Sequence, residues 1–145
     1  MPQTYYTSEE SFRVLIALLK ANGIRKVIVS PGTTNVTFAG SLQSDPYFEL
    51  YSEIDERSAC YMACGMAEES GEPVVLSCTG ATAARNYIPA MTEAYYRHLP
   101  VLAVTSSQHF GHVGTYIPQM TDRQAPEDCA NFSVNIPMFR DGHDR

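Results

Sequence analysis

A chain of 145 residues is long enough for one hydrophobic core and too short for two ordinary domains. Its 44% apolar content suits a folded globule and excludes a disordered chain. The formal charge of -6, with ten basic residues spread thinly, argues against a nucleic-acid surface, which needs clustered Lys and Arg.

The first ten residues are polar and acidic, unlike a signal peptide, and no apolar run reaches the length of a membrane span. Thr7-Ser8-Glu9-Glu10 reads as a capping box with Thr7 at the N-cap. It opens a helix along Phe12, Leu15, Ile16 and Leu19, which Asn22-Gly23 ends. Lys26-Val27-Ile28-Val29 follows as a short strand with almost no polar interruption, the pattern of a parallel strand covered on both faces. Ser30-Pro31-Gly32-Thr33-Thr34-Asn35 closes that strand, either as an ordinary turn or as a ligand-facing exit. A short helix over 36–42, stopped by Ser44-Asp45-Pro46, leads to a strand at 50–52.

Three charged residues (Asp55, Glu56 and Arg57) then stand where a strand-to-helix turn needs one capping side chain. Asp55 suits the N-cap and Glu56 the first turn, near free backbone N–H groups. The helix carries Ala59, Ala63 and Ala67, with Cys60 and Cys64 beside them, to about Ser70, where Gly71 stops it. Residues 73–77 form another buried strand. Its exit over 78–86 is rich in small residues that let backbone come close to a ligand or a helix. A helix continues through Tyr87, Met91, Ala94 and Tyr95, with Pro89 in or near its first turn, and 100–105 is a fourth strand. Residues 106–128 read as a long loop, and 132–137 as a last strand.

Strands alternating with helices predict an α/β domain: a doubly wound, mainly parallel sheet with helices on both faces. In such a sheet the polar exits at 30–35, 55–57, 79–86 and 106–108 gather at one edge. Neither nucleotide-binding glycine motif occurs, and no Gly-x-Ser-x-Gly elbow. His109-x-x-His112 lacks a third ligand, so no metal is assigned. Cys60, Cys64, Cys78 and Cys129 lack zinc-finger spacing and read as buried free thiols of a cytoplasmic protein.

Ser30-Pro31-Gly32, Asp55-Glu56-Arg57-Ser58-Ala59, the run from Thr82-Ala83-Ala84-Arg85-Asn86-Tyr87 to Ala94, and Leu99-Pro100-Val101 to Thr105 occur in that order. Together they resemble the N-terminal pyrimidine-binding (PYR) domain of thiamine-diphosphate enzymes. Within these the chain resembles the acetolactate synthases and the succinyl-enolpyruvyl-hydroxycyclohexene-carboxylate synthase of menaquinone biosynthesis. The likeness runs over residues 8–135, so the whole chain reads as one PYR-type domain, the N-terminal piece of a longer enzyme.

The resemblance implies a catalytic role for Glu56, as a largely buried carboxyl hydrogen-bonded to ring nitrogen N1′ of the cofactor's aminopyrimidine. Proton sharing there favours the imino form at the 4′ position, which takes the proton from C2 of the thiazolium. The ring then accepts the electrons released as a 2-oxo acid loses carbon dioxide. Pro31, Gly32, Thr82 and Asn86 fall at cofactor-binding positions, and Thr34 and Gln119 at positions facing substrate. The diphosphate and its Mg2+ are held in this family by a separate domain carrying Gly-Asp-Gly, which this chain lacks. That domain usually comes from a second subunit, implying a homodimer or tetramer and no turnover by this chain alone.

Two stretches depart from the pattern. Thr33-Thr34 stand where the menaquinone enzyme has Ser-Arg, and Ala81-Thr82-Ala83 where acetolactate synthases have Gly-Pro-Gly. Neither reaction is assigned on the residues alone. A non-catalytic interaction module, or a flavodoxin-like nucleotide-binding domain, are the alternatives.

Overall fold

The computed structural model of the chain describes residues 5–80, 82–106, 125–136 and 139. Parallel strands need crossovers of a dozen or more residues, and helices supply them throughout. Helix α1 (Glu10–Ala21) precedes strand β1 (Lys26–Val29), and α2 (Val36–Gln43) connects β1 to β2 (Glu49–Ser52). Helix α3 (Glu56–Ser70) leads to β3 (Val74–Thr79), and α4 (Thr82–Arg85) with α5 (Ile88–Arg97) to β4 (Val101–Ser106). The strands lie in the order β2-β1-β3-β4, every pair parallel. Lys26 stands opposite both Glu49 and Val74, and Val74 opposite Val101. The predicted doubly wound α/β sheet is therefore observed.

Alternation along the strands assigns one core to each face. Val27, Val29 and Val75 pack with Ile16, Leu19, Phe38 and Leu42 of α1 and α2. Ile28, Val74, Leu76 and Cys78 face Ala59, Ala63 and Ala67 of α3 and Ala90 and Ala94 of α5. Burying a side chain the size of Phe38 or Ile16, both 0% exposed, contributes about 1.5–3 kcal/mol. Phe38 also stacks on Phe12, with ring centroids 5.2 Å apart. Alanines on both α3 and α5 let the two helices approach until the Cys64 thiol donates to the Ala90 carbonyl at 3.4 Å.

Three expectations change. Thr7 is not the N-cap of α1: the helix begins at Glu10, Glu9 occupies the cap without a side-chain bond, and Thr7 Oγ1 accepts from Glu9 N–H at 3.0 Å. Thr7 is recruited instead by tertiary structure, its N–H donating to Ser41 Oγ at 2.9 Å. The helix after the third strand is two pieces, a single turn and then α5, with Pro89 in the first turn of the second. Residues 132–136 form no strand, and Phe132, Val134 and Ile136 are exposed. An alternating segment is held extended by a neighbour's ladder, and none lies along this one among the described residues.

Candidate functional site

All four strands point the same way, so their carboxyl ends share one edge. The chain winds from β1 toward β2 on one side and from β3 toward β4 on the other, so the winding reverses between β1 and β3. Ligands of open α/β sheets bind at such a reversal, beyond the carboxyl ends.

The exits are tied together there by named bonds. Ser30 N–H donates to the Ser77 carbonyl at 2.8 Å, extending the β1–β3 ladder past the strand. Thr34 Oγ1 donates to the Ser106 carbonyl at 2.6 Å, and Gly80 N–H reaches the same oxygen at 2.8 Å. Glu53 N–H donates to the Val29 carbonyl at 3.1 Å, bringing the β2 exit alongside. The predicted gathering of exits at one edge is observed for the described residues; 81, 107 and 108 lie outside them.

Gly32 lies flush against β3. A Cβ built on it would stand 2.3 Å from the Thr79 methyl, so the close approach of the first and third exits requires glycine here. Pro31 is exposed beside it and Gly32 is half-buried.

Asp55 is the N-cap of α3, and its Oδ1 accepts from Ser58 N–H at 2.7 Å. That backbone bond holds the Asp55 carboxyl below its usual range. Capping by Asp55 leaves Glu56, the first residue of α3, free to project from the helix start. Glu56 is half-buried, where the resemblance implied a largely enclosed carboxyl. Asn86 Nδ2 donates to Glu56 Oε2 at 3.5 Å, a long contact, and to the Thr82 carbonyl at 3.3 Å. Cys60 is fully buried, and burial pushes the Cys78 thiol up to about 12. Tyr87, also buried, has its phenol pushed up by the same desolvation.

The structure thus joins Glu56, Asn86 and Thr82 by hydrogen bonds, and sets Gly32 and Thr34, next to Pro31, against the β3 and β4 exits of the same sheet edge. Gln119, His109 and His112 lie outside the described residues. The proton of Thr34 is engaged by Ser106, which leaves only the hydroxyl lone pairs for a ligand. Sequence reading gave no role to Thr79, whose methyl closes over Gly32, or to Asn35, which binds the first exit from beneath. An Asn three residues after a strand-end glycine was the available signal for Asn35.

Residues 10–126 match the family described as thiamine pyrophosphate enzyme, N-terminal TPP binding domain. The chain belongs to this family. Thiamine pyrophosphate is thiamine diphosphate under another name. The chain is 45% identical over 103 residues to a 2-succinyl-5-enolpyruvyl-6-hydroxy-3-cyclohexene-1-carboxylate synthase of Porphyromonas gingivalis, covering 71% of this chain and 18% of that protein. It is 34% identical over 144 residues to the synthase of the same name from Bacteroides thetaiotaomicron, covering 96% of this chain. The chain spans 25% of that relative's length. Among solved structures, a thiamine diphosphate-dependent 4-hydroxybenzoylformate decarboxylase of Rhodococcus jostii superposes with a TM-score of 0.70 at 23% identity. That overlay covers 77% of this chain and 21% of the other, and it shows the shared fold.

The residues of this thiamine pyrophosphate enzyme domain fit one part of the cofactor. A half-buried carboxylate at a helix start, backed by an apolar wall, suits a flat nitrogen heterocycle that offers a ring nitrogen. The buried hydroxyls of Ser30, Ser106 and Tyr87 have no hydrogen-bond partner among the described residues, and the first two lie at the same strand exits. Among the described residues no group of three His, Cys, Asp or Glu could hold a metal ion.

Proposed function

We propose that this chain is the pyrimidine-binding domain of a longer thiamine-diphosphate-dependent enzyme that decarboxylates a 2-oxo acid and joins the resulting acyl unit to a second substrate. The observation that carries this reading is Glu56. It opens α3 at the shared strand-exit edge, half-buried, with Asn86 on one carboxylate oxygen and an apolar wall of Cys60 and Ala59 behind it. Bound there, the cofactor would supply the electron sink for carbon dioxide loss. Glu56 would hold and share a proton at the pyrimidine ring nitrogen. Asn86 would keep that carboxylate aimed, and Thr82 would offer its exposed hydroxyl beside it. The Pro31-Gly32 backbone would bound the pocket on the β1 side.

The name shared by the curated relatives favours a synthase over a simple decarboxylase. Its product carries a 2-succinyl group, the acyl unit that a five-carbon dicarboxylic 2-oxo acid leaves on losing carbon dioxide. With threonine at both 33 and 34, the cation that receives a substrate carboxylate would come from elsewhere in the enzyme. The diphosphate and Mg2+ would be held by a diphosphate-binding domain of a second subunit, in a homodimer or tetramer. Four free, buried cysteines agree with a reducing, cytoplasmic setting.

In the full-length enzyme Glu56→Gln is expected to fold with an unchanged Tm and to bind thiamine diphosphate. It should lose about 10²–10⁴-fold in kcat, the usual weight of one proton-transfer group. Turnover at the wild-type rate would overturn the reading.

A further inference from the structure

The first strand exit faces the site mostly with backbone, and backbone cannot hold its own shape in a six-residue loop. Asn35 is what holds it. The residue is 0% exposed, and its described side-chain bonds all go to that loop and to β3. Oδ1 accepts from Gly32 N–H at 2.8 Å. Nδ2 donates to the Ser30 carbonyl at 3.1 Å and to Ser77 Oγ at 3.2 Å.

Position alone does not explain this. Asn35 is the N-cap of α2, where an Asn side chain ordinarily accepts from an N–H inside the helix, yet it makes no such bond. Its amide is turned backward onto the loop, leaving the helix start uncapped by a side chain. The loop it grips is pinned at both ends: Ser30 N–H is on the β3 ladder and Thr34 is clasped to β4. Between those pins Pro31 and Thr33 are exposed, and the bond from Gly32 N–H to Asn35 is the described hydrogen bond that fixes the backbone there.

We propose that Asn35 is a positioning residue for cofactor binding, acting through the Ser30-Pro31-Gly32 backbone. This rests on the functional reading above. Asn35 does not itself touch the cofactor. It fixes the wall that bounds the pyrimidine, and a displaced wall lowers affinity because ordering it must then be done at binding.

The test uses the full-length enzyme with Mg2+ and thiamine diphosphate, comparing three variants with wild type. Leu42→Ala, in the helix that Asn35 precedes as N-cap, removes a 1% exposed core side chain that makes none of the loop bonds, and so serves as the stability control. Asn35→Ala is expected to raise the Kd for thiamine diphosphate about tenfold, the effect of one displaced hydrogen-bonded wall. Leu42→Ala, with a similar or larger fall in Tm, should leave Kd within about twofold. Asn35→Asp keeps an acceptor for Gly32 N–H but no donor for the Ser30 carbonyl, and is expected to fall between them. Should Asn35→Ala not fold, Asn35→Asp against Leu42→Ala makes the same comparison. An affinity loss at Asn35 no greater than that of Leu42→Ala overturns the proposal. Wild-type enzyme that takes up no thiamine diphosphate overturns the functional reading instead, and this proposal with it.

Discussion

Gly32 and Thr79 show how little room the site leaves. A Cβ at Gly32 would meet the Thr79 methyl at 2.3 Å, while Thr79 Cβ and Oγ1 lie at the ordinary distances of 3.6 and 3.8 Å. Gly32→Ala is therefore expected to cost about 1–3 kcal/mol by overpacking. Thr79→Ser, which removes only that methyl, should recover most of it. Melting curves of the two single variants and the double test this, and simple additivity would contradict it. Asp55 gives a pH-dependent test. Its carboxyl titrates below the usual range because Ser58 N–H bonds its charged form. A lowered carboxyl stabilises above the unfolded value, about pH 3.9, and loses that stabilisation as pH falls through the folded value. The Tm difference between wild type and Asp55→Ala should thus be full at pH 7 and shrink below about pH 4.

The pairing of α3 with α5 rests on small side chains. Ala59, Ala63 and Ala67 meet Ala90 and Ala94, and the thiols of Cys60 and Cys64 donate to the Tyr87 and Ala90 carbonyls. Ala63 is 0% exposed, so Ala63→Leu must push α5 outward, at about 1–3 kcal/mol in urea unfolding. Because α3 begins at Glu56, the same variant should also lower activity in the full-length enzyme. A Leu tolerated without loss would mean the helices are not in register as described. At the other end of α3 the chain stops where expected: Gly71 takes the left-handed conformation, φ 67°, and its N–H closes on the Ala67 carbonyl at 2.8 Å.

For the molecule as a whole, the described residues near Glu56 leave apolar side chains exposed. Ile54 next to the Glu56 turn is 83% exposed, and Tyr61 and Met62 on α3 are also exposed, the kind of apolar surface a second protein surface covers. If a diphosphate-binding domain completes the site, the 145-residue chain should bind thiamine diphosphate far more weakly than the full-length enzyme. Two charge-assisted bonds to the diphosphate, at ~2 kcal/mol each, already amount to about a thousandfold. Calorimetric titration of the two proteins checks this, and equal affinities would contradict the half-site reading.

The alternation of apolar runs with amphipathic ones was enough to read the doubly wound sheet, because buried parallel strands and covering helices leave different periodicities in the chain. The cap at Asp55 and the stop at Gly71 were equally legible, since each depends on its own residue's local chemistry. Glu56 drew notice as a charge beyond the one the turn needed, and its proposed role came from the resemblance rather than from the turn. The true start of α1 was not legible, because Thr7 answers to Ser41, thirty-four residues away. Nor could sequence say that residues 132–136 would lack a strand, since a strand exists only where a neighbour pairs with it. Asn35 shows the limit most sharply. Locally it is one more polar residue before a helix, and only the approach of β3, carrying Ser77, turns it into the fastening of the site. Local preferences are written residue by residue, whereas a buried hydrogen bond takes its meaning from whatever the fold brings opposite.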